Sequence, residues 1–397
     1  MDPVTGLPRV GMVGGGQLAR MTQQAAIALG QSLRVLAIYS SEPAALVTPN
    51  VTLGHHTDLD ALREFARTCD VMTFDHEHVP TEHLRALVAA GVKVHPGPDA
   101  LIHAQDKLVM RDRLAEMGVP VPEYAPVTEP ADLVRFGSKY GWPCVLKAAR
   151  GGYDGRGVWM VGSEAEAVPL ATELLAASTP LLVEERVEMK RELAALVARS
   201  PFGQGAAWPT VETVQKDGIC VEVLAPAPDL SPALAAEAQE LALRVASTLG
   251  VVGVLAVELF ETPTGLVVNE LAMRPHNSGH WTIEGATTSQ FAQHLRAVLD
   301  YPLGSTDPVA PAVVMANVLG AATSPSMGPD ERMHHLFARF RDVHVHYYGK
   351  AERPGRKIGH VTVLGQDMAT ARTRARLAAD WLSTGMWTDG YDIHGGN

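Results

Sequence analysis

The chain has 397 residues, of which 46% are hydrophobic and 19% charged, and its net charge is −11. This length exceeds what one ordinary core can use, so two or three domains are expected. The acidic balance argues against nonspecific binding of nucleic acid, which requires Lys and Arg to neutralise phosphates. The three cysteines are far apart and odd in number, which favours a reducing cytoplasm over a disulfide framework.

The sequence has no feature that indicates a membrane protein. The N-terminal residues MDPVTGLPRV lack the basic and then apolar pattern of a signal peptide. The most apolar later run, 251–257, ends at Glu258 and is far too short to span a bilayer. A soluble cytoplasmic protein without a membrane partner is therefore expected.

The first hundred residues alternate short apolar runs with helical patterns, which indicates βαβ units and a parallel sheet. Strands are predicted at 9–13, 34–38, 71–74 and 92–94, and helices at 17–29, 58–67 and 81–90. The segment His95-Pro96-Gly97-Pro98 is interpreted as a break. A helix is predicted after it at 106–117, ending at Gly118.

The middle of the chain is richer in strands. They are predicted at 143–149, 158–161, 181–185, 193–199, 252–260 and 266–271, with a helix at 231–250. Ser231 and Pro232 are typical of a helix start, and Gly250 of a helix end. The last ninety residues are expected to form a smaller mixed domain that closes with a helix at 368–382.

Two acidic residues, Glu258 and Glu270, occur in the two strands of the predicted hairpin 252–271. If its turn is centred on Thr264, Glu258 and Glu270 lie opposite each other among apolar neighbours. Like charges across a strand pair are destabilising, and burial makes this worse. A Mg²⁺ ion shared with substrate phosphates would reverse the sign. The alternative is a solvated face on which the acids only maintain solubility.

The glycine loop RGGYDGRG at 150–157 lies between two predicted strands. Glycines let backbone N–H groups approach an anion, although no Walker motif follows and a flexible hairpin tip is the alternative. Lys147 lies within the apolar strand just before the loop. A lysine in that setting needs a negative partner, and a nucleotide phosphate would serve.

Two further segments suggest phosphate binding. GGGQLA at 14–19 fits the G-x-G-x-x-A pattern of dinucleotide sites, but the second strand ends without the acid that binds a ribose. The start of the following helix could still bind a phosphate or polar ligand. KAERPGRK at 350–357 places four cations in eight positions, which indicates either a solvated loop or a phosphate-monoester site.

Several histidines raise the question of a metal site: His55, His56, His76, His78, His83, His344 and His346. They lie mostly beside turns, without an HExxH motif or paired cysteines. Surface or hydrogen-bonded histidines are therefore the preferred interpretation.

Taken together, NELAMRPHNSGHW at 269–281, GGYDGRGV at 151–158 and RPGRKIGH at 353–360 resemble the ATP-grasp superfamily. Within it they resemble the 5-(carboxyamino)imidazole ribonucleotide synthases of purine biosynthesis. The resemblance implies an α/β ATP-grasp fold with an N-terminal Rossmann-like parallel-sheet domain at 1–105. The ATP-grasp domain would span 106–305, with a lid at about 125–195, and a small C-terminal mixed domain would span 306–397.

The resemblance also implies a nucleotide site. Lys107 and Lys147 would contact ATP phosphates, the 184–187 strand would hold adenine, Glu192 would take the ribose hydroxyls, and Glu258 and Glu270 would hold one or two Mg²⁺ ions. Gln215 stands where some relatives have histidine. The complete implied ATP site is Lys107, Lys147, Gly152, Tyr153, Asp154, Gly155, Arg156, Gly157, Val158, Glu184, Glu185, Arg186, Val187, Glu192, Gln215, Asn269 and Glu270.

A ribonucleotide site follows from the same resemblance. Lys350 and Arg356 would grip the ribonucleotide phosphate, and Arg274 would hold bicarbonate. The complete implied set is Gln17, Glu77, Tyr153, Asp154, Arg274, His276, Asn277, Ser278, Lys350 and Arg356. The catalytic residues would be Arg274, Lys147, Asp154 and Tyr153. Met273 and Pro275 differ from the pattern most familiar in the family.

The implied reaction is the carboxylation of 5-aminoimidazole ribonucleotide, driven by ATP and bicarbonate through carboxyphosphate, by a homodimeric ligase. The nearest alternative is another ATP-grasp ligase that activates formate or an amino acid. A nicotinamide-dependent oxidoreductase built on GGGQLA would leave Lys147 and the paired acids unexplained. A non-catalytic nucleotide-binding regulator would need neither metal-binding acid.

Overall fold

The structure is a computed structural model that describes residues 1–31, 33–152 and 155–392. Its strands are β1 Val10–Val13, β2 Arg34–Ala37, β3 Asn50–Leu53, β4 Val71–Phe74, β5 Tyr124–Val127, β6 Cys144–Ala148, β7 Val158–Val161, β8 Leu181–Glu185, β9 Arg191–Arg199, β10 Gly205–Ala207, β11 Val211–Lys216, β12 Ile219–Ala225, β13 Gly253–Thr262, β14 Gly265–Ala272, β15 Ala312–Leu319, β16 His344–Tyr347 and β17 Lys357–Gly365.

The helices separate these strands. They are α1 Gln17–Ala28, α2 Leu59–Ala66, α3 Thr81–Ala89, α4 Pro98–Gln105, α5 Lys107–Glu116, α6 Pro130–Tyr140, α7 Glu164–Ala176, α8 Pro232–Thr248, α9 Thr282–Gly285, α10 Gln290–Val298, α11 Pro329–Arg339 and α12 Met368–Thr384, with a 3-10 turn at Asn277–Gly279. Among the described residues, no helix is both long and apolar enough to cross a membrane.

The N-terminal sheet is parallel, in the order β3-β2-β1-β4. Its strands are short. The residues of β1 and β4 are buried, as expected of a parallel sheet covered by helices. The βαβ prediction is therefore confirmed. The strand predicted at 92–94 is wrong, since Val94 makes only a single bridge to Met72.

The central sheet runs β14-β13-β9-β11-β12-β15-β17-β16, with β10 paired to β9. Strand β15 pairs with both β12 and β17, so the strands beyond residue 312 extend the same sheet. Helix α8 packs on one face of it through Leu241 and Val245, among the apolar side chains of β9 and β13. This sheet carries five of the polar residues predicted to form the site: Glu192, Gln215, Glu258, Asn269 and Glu270.

A smaller antiparallel sheet, β5-β8-β6-β7, lies in the 125–195 segment predicted as a lid. Its own apolar cluster includes Leu146, Val183 and Phe136 of α6. The cluster is separate from that of the central sheet, so the smaller sheet has a core of its own. Lys147 in β6 and Glu184 in β8 are its buried charged residues.

Candidate active site

A cleft of about 1120 Å³ lies where the three sheets meet. Among the described residues, its lining carries twice as many cations as acids: Lys107, Arg150, Arg156, Arg274, Lys350, Arg353, Arg356 and Lys357 against Glu77, Glu82, Glu258 and Glu270. The whole chain is acidic, with a net charge of −11. Since low-dielectric walls focus the field of such a cleft, it favours anionic ligands locally.

The predicted acid pair is present. Glu258 in β13 and Glu270 in β14 are directly opposite partners, and both line the cleft. The turn of the hairpin is centred between Pro263 and Thr264, half a residue from the predicted centre at Thr264. A register shift after Glu258 compensates for this difference and places Glu258 opposite Glu270. Asn269 is the extra residue of this β-bulge. Bulges re-aim side chains next to sites, and here the bulge sets the two acids face to face.

Neighbouring cations stabilise this pair. Lys107 donates to Oε1 of Glu270, and Nε2 of His276 lies 3.2 Å from Oε1 of Glu258. Burial acts to raise the pKa of Glu258, but the hydrogen bond from His276 and the charge of Lys107 outweigh it and hold that pKa below its usual range. The carboxylate of Glu258 is therefore held in its ionised form. The alternative of a simply solvated acidic face does not fit this arrangement.

Lys147 has a protein partner that the sequence did not predict. Its Nζ lies 2.6 Å from Oε2 of Glu184, which is only 2% exposed, and 3.2 Å from Oδ1 of Asn269. Burial acts to raise the pKa of Glu184, yet the charges of Lys147 and Arg111 outweigh it and lower that pKa. Glu184 thus supplies the negative partner that the sequence analysis assigned to a nucleotide phosphate, and it holds the amine of Lys147 beside the acid pair.

Glu192 in β9 is part of the same region but has an unusual charge state. Burial and then the negative charge of Glu258 raise its pKa to about 7, against a hydrogen bond from Gln215. Gln215 therefore lies near enough to Glu192 to act on its pKa. Of the 184–187 strand, Glu184 is buried and Arg186 exposed, and Glu185 accepts from the backbone of Glu123 at 3.1 Å.

The glycine loop lies at one wall of the cleft. Gly151, Gly152 and Arg156 line it, and the carbonyl of Gly157 accepts from Ala148 at 2.8 Å, which anchors the loop to β6. Gly155 and Val158 continue it into β7. Tyr153 and Asp154, predicted to contact both substrates, lie outside the described residues.

The segment after β14 carries the polar cluster 274–278. Nε of Arg274 donates to Glu77 at 2.7 Å, so the arginine predicted to hold bicarbonate is paired with another predicted site residue. The backbone N–H of Ser278 donates to Nδ1 of His276 at 3.4 Å, which leaves Nε2 of His276 to carry the proton directed at Glu258. Asn277 exchanges two amide hydrogen bonds with Asn317 of β15, at 2.8 and 3.0 Å.

The basic loop 350–357 contributes four cations to the lining of the cleft, Lys350, Arg353, Arg356 and Lys357. Lys350 donates to Oε1 of Gln17, and Arg356 donates to the carbonyl of Ala351 at 3.3 Å. Gly320 at the end of β15 approaches this loop so closely that a Cβ there would clash with the carbonyl of Arg353. The structure thus brings together Gln17, Lys350 and Arg356, as predicted for one ribonucleotide site.

The phosphate site proposed at the GGGQLA segment is wrong. Its backbone amides are already used by carboxylates of the protein: Gly15 donates to Glu42 at 3.0 Å, and Gly16 and Ala19 donate to Asp75 at 2.8 Å. Two carboxylates at the start of α1 satisfy its positive end and exclude a further phosphate. The segment instead positions Gln17 at the cleft.

Four of the histidines come together beside this segment. His55 stacks on His56 and His76 on His78, while His56 and His76 meet edge to face, with ring centroids 4.5 to 5.1 Å apart. Burial, followed by the charges of neighbouring histidines, lowers the pKa of His56 to about 4 and that of His76 to about 3. Over the described part of the chain, no three His, Cys, Asp or Glu side chains are arranged to hold a metal ion.

Three family models match the chain. The ribonucleotide synthetase preATP-grasp domain matches residues 7–105, the ATP-grasp domain residues 112–291, and the phosphoribosylaminoimidazole carboxylase C-terminal domain residues 313–374.

Known proteins match over nearly the whole length. N5-carboxyaminoimidazole ribonucleotide synthase of Mycobacterium tuberculosis (strain ATCC 25618 / H37Rv) is 66% identical over 98% of this chain and 90% of that protein. The crystal structure of the synthetase from Thermus thermophilus has a TM-score of 0.83 at 38% identity, covering 96% and 99% of the two chains. The Aspergillus clavatus synthase in complex with ADP and 5-aminoimidazole ribonucleotide has a TM-score of 0.84 at 35% identity, covering 94% and 98%. The chain belongs to the N5-carboxyaminoimidazole ribonucleotide synthase family of the ATP-grasp enzymes.

Proposed function

We propose that this chain is a ligase of purine biosynthesis. It uses ATP and bicarbonate to carboxylate the exocyclic amine of 5-aminoimidazole ribonucleotide, forming 5-(carboxyamino)imidazole ribonucleotide. The name of the Mycobacterium tuberculosis relative and the ligands of the Aspergillus clavatus complex support this assignment.

One feature of the cleft carries the proposal. The acid pair with Lys107 and the basic loop with Lys350 and Arg356 line the same cleft. Arg274 lines this cleft as well, as the candidate bicarbonate residue. An acid pair suited to a metal, a candidate bicarbonate residue and a cluster of cations in one cleft match a nucleotide triphosphate, bicarbonate and a phosphate monoester, which are the substrate set of the proposed reaction.

The ATP site is assigned to Lys107 of α5 and to residues of the two antiparallel sheets. Lys107 and Lys147 would neutralise the phosphates, with the glycine loop 152–158 folded over them. The 184–187 segment would hold adenine and Glu192 the ribose hydroxyls, with Gln215 near Glu192. Tyr153 and Asp154 remain in this proposal as loop residues that contact both substrates.

The acid pair also fits magnesium. The carboxylates of Glu258 and Glu270 face each other across neighbouring strands and supply oxygen ligands, while the side-chain amide N–H of Asn269 donates to Glu258 at 3.4 Å. Mg²⁺ is usually held by one or two carboxylates together with substrate phosphates. When bound by Glu258 and Glu270, Mg²⁺ would neutralise charge on the triphosphate.

The ribonucleotide site is assigned to the basic loop 350–357, the 274–278 segment and two N-terminal residues, Gln17 and Glu77. Lys350 and Arg356 would bind its phosphate, while Gln17, Glu77, His276, Asn277 and Ser278 would surround the aminoimidazole and ribose. Arg274 would hold bicarbonate between the two substrates. Its pKa is raised, because the attraction of Glu77 outweighs its burial, so it stays charged.

The chemistry requires bicarbonate to be activated first. Attack of a bicarbonate oxygen on the γ-phosphorus of ATP forms a new P–O bond and releases ADP, giving carboxyphosphate. The amine of the ribonucleotide then attacks the carboxyl carbon, or CO₂ released from it. A C–N bond forms, inorganic phosphate leaves and the amine loses a proton. A closed glycine loop would exclude water, which otherwise hydrolyses the intermediate.

The assembly, location and domain limits belong to the same proposal. We expect a homodimer in the cytoplasm with the domains 1–105, 106–305 and 306–397. No disulfide joins the three cysteines in the described part of the chain, which supports a reducing compartment.

Two alternatives predict different behaviour. A nicotinamide-dependent oxidoreductase needs the GGGQLA amides for a pyrophosphate, and Glu42 and Asp75 occupy them. An ATP-grasp ligase for formate or an amino acid would accept these compounds in place of bicarbonate.

The test is ADP formation by the purified chain. With ATP, Mg²⁺, bicarbonate and 5-aminoimidazole ribonucleotide together, we expect turnover, and omission of the ribonucleotide should reduce it at least tenfold. Replacing bicarbonate by formate or glycine should not restore it. ADP formation that is indifferent to the ribonucleotide would refute the assignment.

A further inference from the structure

Arg111 is a buried arginine that the proposed reaction does not use directly. It lies on α5 four residues after Lys107 and is fully buried. Residues four apart share one face of a helix. Lys107 contacts Glu270, and Arg111 contacts Asn269 next to it, so α5 bonds two successive residues of β14.

The guanidinium of Arg111 joins the smaller antiparallel sheet β5-β8-β6-β7 (the lid sheet) to the central sheet. Its Nε donates to Oε1 of Glu184 in β8 at 2.7 Å, and one Nη donates to the carbonyl of Asn269 in β14 at 2.7 Å. Lys147 of β6 bonds both of the same residues. Arg111, Glu184, Lys147 and Asn269 therefore form a closed ring of hydrogen bonds that spans α5, the lid sheet and the central sheet.

The ring meets the acid pair at the bulge. Asn269 is the extra residue that brings Glu270 opposite Glu258, and its side-chain amide donates to Oε2 of Glu258 at 3.4 Å. Arg111 bonds the backbone of this residue, and Lys147 bonds its side chain. Charge-assisted bonds of this kind are stronger than neutral ones and fix geometry when buried.

We propose that Arg111 is a positioning residue that fixes the Asn269 bulge relative to the lid sheet, and so couples the binding of magnesium to the binding of the nucleotide. The proposal rests on the proposed function, in which the acid pair holds Mg²⁺. Lysine at this position keeps a positive charge near Glu184, but its single nitrogen replaces two donor atoms of arginine, the Nε that bonds Glu184 and the Nη that bonds the carbonyl of Asn269.

The experiment measures ADP binding by calorimetry with and without Mg²⁺, using the full-length chain. In the wild type, Mg²⁺ should tighten ADP binding. In Arg111→Lys this enhancement should fall roughly tenfold, which is the equivalent of one lost hydrogen bond. ADP binding without Mg²⁺ and the KM for the ribonucleotide should each change by less than about twofold. Arg113→Lys on the exposed side of α5 is the matched control, and it should match the wild type.

Arg111→Met tests the alternative of a purely structural role. It removes both bonds and should lose the same Mg²⁺ enhancement, together with some thermal stability, while Arg111→Lys retains its Tm. An unchanged Mg²⁺ enhancement in Arg111→Lys would overturn the proposal, as would equal losses for ADP and the ribonucleotide with a lower Tm. A wild-type chain without ribonucleotide-dependent turnover would instead overturn the proposed function, because ADP binding is measured independently of turnover.

Discussion

At the residue scale, Glu270 depends on its charge more than on its packing. Its side chain is 37% exposed and its partner is Lys107. Glu270→Gln keeps the shape and a hydrogen-bond acceptor but removes the charge that would hold Mg²⁺. We expect kcat to fall by about 10²–10³, as when a transition-state stabilising group is lost, with Tm within a few degrees of the wild type.

The measurement for Glu270→Gln pairs steady-state kinetics with calorimetric melting. Glu237→Gln, on the exposed face of α8, is the control and should retain activity. A large drop in Tm with turnover retained would assign Glu270 a structural role instead.

Glu192 gives a prediction about pH. Because burial and Glu258 raise its pKa to about 7, from an ordinary value of 4.5, the folded state binds this proton more tightly than the unfolded state. The stability that protonated Glu192 contributes is fully present below pH 4.5 and is lost as the pH rises through about 7. Glu192→Gln does not titrate, so its Tm relative to the wild type should increase between pH 5 and pH 8.

The check is a series of melting curves at several pH values, with the exposed Glu240→Gln as control. ADP affinity gives a second readout. If ionised Glu192 binds the ribose, affinity should rise with pH through 7 in the wild type and not in Glu192→Gln. A pH-independent difference in Tm would contradict the raised pKa.

Some residues could be predicted from sequence and others could not. Glu258, Glu270 and Lys147 were recognisable because charged side chains in apolar strands need partners. Arg111 was not predicted, although its spacing of four from Lys107 was available as a signal. Glu184, Glu42 and Asp75 depend on chain segments distant in sequence, so their partners follow only from the folded structure.

At the element scale, the β13–β14 hairpin shows that the periodicity of apolar residues predicts strands but not a bulge within them. Alternation predicted β13 and β14 correctly, but no Gly or Pro marks the extra residue at Asn269. Strand β3 was missed because Asn50–Leu53 is only half-buried and lacks an apolar run. Helix α4 was missed because Pro98 was interpreted as part of a break, whereas proline also favours the first turn of a helix.

The basic loop 350–357 gives the prediction at this scale. Arg356→Ala should raise the KM for 5-aminoimidazole ribonucleotide about 10- to 100-fold, the usual effect of losing a charge-assisted hydrogen bond. ADP affinity should stay within about twofold, because Arg356 is assigned to the ribonucleotide phosphate and not to the nucleotide. Initial-rate kinetics and ADP calorimetry separate the two effects.

Arg341→Ala removes an exposed arginine near α11 and serves as the control for net charge. An unchanged ribonucleotide KM in Arg356→Ala would refute the phosphate assignment. Equal weakening of ADP and ribonucleotide binding would indicate that the loop supports the whole cleft.

At the scale of the whole molecule, His294 joins the N-terminal sheet to the central sheet. It is fully buried, its Nδ1 accepts from Val254 at 3.1 Å, and its Nε2 lies 2.7 Å from the hydroxyl of Thr73. With Nδ1 accepting, Nε2 carries the proton and the ring is neutral. Burial, with the charge of His95 added, lowers its pKa to about 3.

A lowered histidine pKa means that stability is complete above pH 6.5 and is lost as the pH falls toward 3. His294→Gln should lower Tm at pH 7.5, because buried hydrogen bonds are lost. This deficit should narrow at pH 5, since the variant no longer loses stability through this proton. Melting curves at both pH values, with the exposed His344→Gln as control, test this. An equal deficit at both values would contradict it.

The architecture was predicted better than its connections. The parallel N-terminal sheet follows from local alternation, and the ATP-grasp fold was implied by three motifs in order along the chain. The continuation of the central sheet through β15 into β17 was not predicted. Strand pairing between distant segments depends on tertiary packing, which a local pattern does not encode.

The central claim is that ATP activates bicarbonate for transfer to the ribonucleotide, and ¹⁸O-labelled bicarbonate tests it most directly. Attack by a bicarbonate oxygen on the γ-phosphorus leaves that oxygen in the inorganic phosphate released later. We predict one labelled oxygen in the phosphate of each turnover, measured by mass spectrometry before bicarbonate exchanges with water. Phosphate without label, formed at the rate of ADP, would show that water attacks ATP and would contradict the account.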